Sequence, residues 1–282
     1  MGRGPRKMTE EIIKRWLAEG RGSGDGPAYK PWLEVFDFSS RGNVNRIYSP
    51  KLGRIAHLMS TTEEKTFYVL EWLRKVRDIK EQFPLDRNLT LEIASCLGIK
   101  HPYYPQTVVP TVMTVDFLAV CKVAGSSPYF EAYDCKVEND ADDARSVEKL
   151  VITKAYFDGM DIPYRLVFET KLPNQKIKNI AWIRSGMIKP GEEESYPGAL
   201  VDQARRMANE LMTSTRKQPL KVYCESFAVR HGLRPGDGLR VAKILLYERV
   251  LLCDLSNPDI ESCPLAAFRI NMESPHPRPS GM

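Results

Sequence analysis

Val112-Met113-Thr114-Val115-Asp116-Phe117-Leu118-Ala119-Val120, followed after Gly125-Ser126-Ser127 by Tyr129-Phe130-Glu131-Ala132-Tyr133-Asp134-Cys135-Lys136-Val137, is the stretch that decides the fold. Both runs are rich in β-branched and aromatic residues, and the turn residues between them predict a hairpin. Three charged side chains interrupt it. Asp116 stands inside an apolar strand, in phase with Val112 and Leu118. Asp134 and Lys136 are two apart, so they share one face of the return strand. Burying a carboxylate is costly unless it is paired or holds a metal. A carboxylate pair holding Mg²⁺ (Mn²⁺ substituting), with a lysine beside it, explains the placement. Such a cation activates water and neutralises charge growing on a phosphoryl group, and Lys136 can orient that water or stabilise the transition state. A cross-strand Asp-Lys salt bridge on an exposed face is the plain structural alternative.

Outward from the hairpin, the pattern alternates helix and strand. Ser60-Thr61-Thr62-Glu63 opens a helix whose Phe67, Leu70 and Leu73 share one face. Ser60 with Glu63 is also a capping-box pair, which needs no catalysis. Leu89 to Leu97 reads as a short helix. Ala144 to Phe157 reads as another, with Val147, Leu150 and Val151 turned inward, and Pro163 to Phe168 as a strand. Residues 45–189 therefore form an α/β domain. Before it, 1–44 comprise a basic amphipathic helix from Met8 to Ala18, and Gly20, Gly22, Gly24 and Gly26 in a flexible linker or a close-approach loop. Trp32 to Phe38 and Asn45 to Tyr48 are expected to be extended.

Past Lys189-Pro190-Gly191 and the acidic Glu192-Glu193-Glu194 the character changes. Two or three helices between Gly198 and Tyr247, then a hairpin of Arg249 to Leu255 with Ala266 to Ile270, predict a winged-helix module over 190–272. Residues 273–282 are expected to be disordered.

The 282 residues carry a net charge of +5, and residues 191–282 hold 12 basic and 12 acidic side chains. The excess therefore lies wholly in residues 1–190, on the side of the hairpin, where a polyanionic partner such as nucleic acid would bind. No apolar run suits a membrane span and no secretory signal is evident, so a cytoplasmic protein is expected. The 6 cysteines show no CxxC or Cys-His spacing, which excludes zinc fingers and fits a reducing compartment. His57, His101 and His231 have no partner at ligand spacing. A nucleophile elbow and a P-loop are both absent.

Glu63 on a helix, Asp116 53 residues on, Asp134 18 further and Lys136 two beyond follow the order of the PD-(D/E)xK, restriction-endonuclease-like fold. The chain also resembles the TnsA family, the endonuclease subunits of heteromeric transposases. The resemblance spans about residues 10–185. It is carried by Glu19-Gly20-Arg21-Gly22 with Pro31-Trp32-Leu33, Arg46-Ile47-Tyr48-Ser49, Leu70-Glu71-Trp72, Gln82-Phe83-Pro84-Leu85, Gly98-Ile99-Lys100-His101-Pro102 and Asp116-Phe117-Leu118.

The resemblance implies a Mg²⁺-dependent DNA endonuclease that cuts the 5′ strands at transposon ends, while the partner transposase TnsB cuts and joins the 3′ strands. It places the family's catalytic glutamate on Glu63, its central aspartate on Asp116 and its lysine on Lys136. The second metal position of the third motif, which can be glutamine in the family, is Asp134 here. The extra charge should tighten cation binding. The main-chain carbonyl of Cys135 is implied as a further metal ligand. The charge-neutral C-terminal module is implied to engage TnsC, the ATP-dependent regulator, more than DNA. Two competing readings are a stand-alone restriction or repair endonuclease and a non-catalytic scaffold bridging TnsB and TnsC.

Overall fold

The computed structural model describes residues 7–37, 44–137, 143–213 and 217–271. The expected disordered tail at 273–282 and Phe38 of the predicted extended stretch lie outside the described residues. The chain divides into two units, Met1–Leu172 and Pro173–Met282.

The first unit begins with α1 (Glu10–Ala18), capped by the Thr9 hydroxyl, and buries Ile13 and Trp16. The glycine-rich stretch after it takes the close-approach form. A Cβ on Gly22 would lie 2.2 Å from Pro84 Cγ, and one on Gly24 would lie 2.5 Å from the Ala28 carbonyl oxygen, so neither position admits a side chain. Arg21 stacks over Trp16 at 4.1 Å, while its guanidinium donates to the Trp32 carbonyl at 3.1 Å. β1 (Asn45–Ser49) and β2 (Arg54–Leu58) form an antiparallel pair. Trp32 to Asp37, expected to be extended, instead holds a short 3₁₀ turn at Val35–Asp37.

α2 (Thr61–Trp72) starts at the Ser60 cap. β3 (Val76–Pro84), α3 (Arg87–Cys96), β4 (Thr114–Cys121), β5 (Tyr129–Lys136), α4 (Ala144–Asp158) and β6 (Tyr164–Phe168) complete the unit. The sheet order is β3-β4-β5-β6. Its first three strands are antiparallel, and α4 is the crossover that makes β6 parallel to β5. This is a mixed sheet with helices, as expected.

One core gathers Leu58, Phe67, Leu70, Ile79, Phe117 and Cys135 beneath α2; the other gathers Leu85, Leu118, Ala132, Ile152, Tyr156 and Phe157 beneath α3 and α4. On α4 the inward residues are Ile152, Tyr156 and Phe157. Val147 and Val151, expected inward, are 42% and 39% exposed. The expectation took the wrong stripe because α4 carries apolar residues on more than one face.

β3 has no counterpart among the sequence expectations, because its charges hide the alternation. Glu81 is fully buried, and Arg54 reaches its two carboxylate oxygens at 2.6 and 2.7 Å while also donating to the carbonyls of Ile79 and Gly26. Asp78 accepts from the Gly26 N–H at 2.9 Å. Each buried charge is thus matched, as burial requires.

The second unit contains α5 (Asn174–Arg184), α6 (Ala199–Thr213), α7 (Leu220–Arg230) and α8 (Asp237–Tyr247), then a ribbon of β7 (Leu251–Leu252) with β8 (Arg269–Ile270). α8 buries Val241, Ala242, Ile244, Leu245 and Leu246. Gly238 lets it approach α7, since a Cβ there would sit 2.0 Å from the Cys224 carbonyl oxygen. The ribbon is two residues per strand, shorter than the predicted hairpin. The division also falls earlier than the expected 189/190 boundary. α5 belongs to the second unit: Asn179 donates to the carbonyls of Leu255 and Asn257, and the Trp182 indole donates to Glu261. All 6 cysteines are free.

Candidate active site

The β4–β5 ladder stops at Phe117 opposite Tyr133, and the site begins there. Beyond that pair, side chains replace carbonyls as acceptors. The Asp116 N–H donates to Asp134 Oδ1 at 3.1 Å, and the Cys135 N–H donates to Asp116 Oδ2 at 2.7 Å. Each strand therefore hands its free amide to the other strand's carboxylate. A strand interior has no such use for two aspartates, so this local structure is written by Asp116 and Asp134 themselves.

Glu63 arrives from the first turn of α2. Its Oε1 accepts from the Ser60 hydroxyl at 3.0 Å and its Oε2 from the Met59 N–H at 2.9 Å, while Ser60 Oγ caps the Glu63 N–H at 3.1 Å. The capping box exists, and the same carboxylate also faces the sheet. Gln82 Nε2 lies 3.3 Å from Glu63 Oε2 and 3.3 Å from Asp116 Oδ1. Asp134 Oδ2 accepts from the Tyr164 hydroxyl at 2.5 Å. The fold thus brings Glu63, Asp116, Asp134 and Lys136 together. Gln82 and Tyr164, which sequence reasoning did not place here, join them.

Burial is uneven: Glu63 and Asp134 are 5% exposed, whereas Asp116 and Lys136 are half-buried. Burial raises all three carboxyls above their ordinary range. Asp116 is raised furthest, because the charges of Asp134 and Glu63 add to its loss of water. Lys136 opposes the rise at every one of them. Among the described residues it has no acidic partner within 4.0 Å, so its ammonium is felt by three carboxylates without being paired to one. The Cys135 thiol contacts Thr66 Oγ1 at 3.3 Å on the α2 side and takes no part in the cluster.

Among the described residues no three carboxylate, imidazole or thiol side chains form a ready-made ligand group. The donors are all oxygens and their arrangement is open. That suits Mg²⁺, which takes one or two carboxylates and fills its remaining positions with water and substrate phosphate. It does not suit zinc, which favours a closed nitrogen and sulfur set.

The described histidines lie elsewhere. His57 Nδ1 accepts from the Val35 N–H at 3.2 Å, His101 bridges Thr90 and the Pro102 carbonyl, and His231 meets Glu210 at 2.6 Å. No helix among the described residues is long and apolar enough to cross a membrane.

Residues 73–169 match the family model "TnsA-like endonuclease N terminal", and residues 172–255 match "TnsA endonuclease C terminal". The first match contains Asp116, Asp134 and Lys136 and begins after Glu63; the seam between the two falls beside the division at Leu172. The chain is therefore an endonuclease built on a mixed α/β sheet. It is also similar to the transposon Tn7 transposition protein TnsA of Escherichia coli, 36% identical over 248 residues that cover 87% of this chain and 86% of that protein. The chain belongs to the TnsA endonuclease family.

Proposed function

We propose that this protein is the transposase subunit that cleaves the 5′ strands at transposon ends, using a divalent cation held at the β4–β5 opening. The observation that carries the reading is the reciprocal pairing of Asp116 and Asp134 with each other's strands, with Glu63 and Lys136 beside them. On this reading the core is of the PD-(D/E)xK kind. Asp116 and Asp134 hold Mg²⁺, or Mn²⁺ in its place, with help from the Cys135 carbonyl. Glu63 holds a second cation or positions water. When bound, the cation lowers the pKa of its water and offsets negative charge on the scissile phosphate.

The remaining work falls to the chain. The main-chain amides of Asp116 and Cys135 fix the two aspartates, so their geometry does not depend on side-chain rotamers alone. Lys136, half-buried and with no acidic partner within 4.0 Å among the described residues, supports the attacking oxygen or the charge that develops on phosphorus. Ser60 and the Met59 N–H keep Glu63 aimed at the sheet.

The last three of the second unit's four helices, α6, α7 and α8, are followed by a two-strand ribbon, which supports a small winged-helix module. Within the second unit, residues 191–282 balance 12 basic against 12 acidic side chains, which favours a protein partner, the regulator TnsC, over a strong phosphate contact there; Lys176, Lys178, Arg184 and Lys189, on and after α5, are the unit's basic excess. TnsB would supply the 3′-strand chemistry. The test is an excision assay with TnsB on end-labelled transposon DNA. The account expects 5′ nicks that require Mg²⁺ and disappear with Asp116→Ala; 5′ nicks made at the same rate by that variant would defeat it.

A further inference from the structure

Gln82 occupies a backbone conformation that its residue type rarely takes. Its φ is +48°, in the left-handed region, inside a strand whose neighbours Glu81 and Phe83 stay paired with Phe117 and Val115. Nothing local demands this: no glycine is used, and the strand resumes its register on the other side. What the conformation accomplishes is the aim of the side chain. Gln82 is 4% exposed, and its single amide nitrogen donates to Glu63 Oε2 and Asp116 Oδ1 together. Its Oε1 accepts from the Thr114 hydroxyl at 3.4 Å, which sets the amide with nitrogen toward the carboxylates and oxygen away from them. The Gln82 carbonyl is held in turn by the Trp32 N–H at 3.2 Å. Strain of this kind survives where the surroundings over-determine it, and it concentrates at functional sites.

The donors to the three carboxylates divide into two kinds. Met59, Asp116 and Cys135 donate from the main chain, while Ser60, Gln82 and Tyr164 donate from side chains. Gln82 is the member of this set that joins two carboxylates carried by different elements, α2 and β4. Apart from Glu63 Oε2, which accepts from both the Met59 N–H and Gln82, each carboxylate oxygen keeps a second lone pair, so these bonds leave room for a cation.

We propose that Gln82 is a positioning residue, a clamp that fixes Asp116, which with Asp134 holds the divalent cation, at a set orientation to Glu63. The proposal rests on the cation reading above. Groups that orient metal ligands in this way cost about 10- to 100-fold in metal affinity when removed. The variants are Gln82→Ala and Gln82→Asn. Asparagine accepts the left-handed backbone at least as well as glutamine, yet its amide is one methylene too short to bridge.

Calorimetric titration of the full chain with Mn²⁺ alone, without DNA, reads the effect, and thermal melting of the same samples reads the fold. The expected result is Mn²⁺ binding about tenfold weaker in both variants, with Gln82→Asn melting close to the original chain. Binding as tight as in the original chain by folded Gln82→Asn overturns the clamp alone. An original chain that does not bind Mn²⁺ overturns the cation reading, and the clamp falls with it. If Gln82→Ala does not fold, Gln82→Asn decides.

Discussion

Glu81→Gln is the most informative stability test, because it changes charge and almost nothing else. Glu81 is fully buried and its two oxygens are engaged by Arg54 at 2.6 and 2.7 Å, with the His57 N–H at 3.1 Å on the first. The guanidinium is itself buried, at 8% side-chain exposure. Neutralising Glu81 leaves that cation without a counter-charge in a dry place, which costs about 3–5 kcal/mol. For a unit of this size each kcal/mol moves the midpoint by roughly 2–4 °C, so a fall of about 6–20 °C is expected. Differential scanning calorimetry of the full chain would read it. The Arg54→Met, Glu81→Leu double variant should lose less than the two single changes together, by at least about 1 kcal/mol, because no lone charge remains. A single-variant cost below about 1 kcal/mol, or strict additivity, would refute the view that this pair holds β2 against β3.

Asp116→Ala should abolish 5′-strand nicking while circular dichroism shows an intact fold, since the carboxylate is held at an opening in the ladder instead of in packing. Asp134→Gln should weaken Mg²⁺ affinity yet keep some cleavage, because an amide oxygen still coordinates; unchanged Mg²⁺ dependence would count against ligation there. The raised carboxyls of Glu63, Asp116 and Asp134 mean that the cation-free folded chain binds more protons than the unfolded one. Their contribution to stability therefore falls as pH rises from the ordinary carboxylate range through the raised values. Melting curves in chelator should show that slope, and it should be shallower in Asp116→Asn. A fragment ending at Leu172 should keep the carboxylate cluster and lose TnsC in a pull-down. One ending at Lys189 should be less soluble, because it exposes Ile177, Ile180 and Ile183 of α5.

The sequence made the hairpin legible because β4 and β5 follow the period of two, and Asp116, Asp134 and Lys136 stand out against that pattern. Glu63 was legible through order along the chain and through the Ser60 cap. β3 was not, because Asp78, Lys80 and Glu81 break its alternation, and their partners Gly26, Asp25 and Arg54 are distant in sequence. Without β3, Gln82 had no place in the site; a positive φ leaves no mark on a glutamine codon. Tyr164 was visible only as a strand residue, since its hydroxyl reaches Asp134 through the parallel pairing of β6. The unit boundary was misplaced because Pro190-Gly191 looks like a linker, whereas Asn179 and Trp182 tie α5 to segments some 80 residues later.

The central claim is that one carboxylate cluster with Lys136 cuts one strand at each transposon end. The most direct measurement is strand-resolved cleavage of end-labelled transposon DNA by the chain together with TnsB, comparing the original chain with Lys136→Ala at equal protein and Mg²⁺. The account predicts that 5′-strand nicks vanish while TnsB's 3′-strand cuts persist. Persistence of the 5′ nicks with Lys136→Ala, or loss of the 3′ cuts alone, would contradict it.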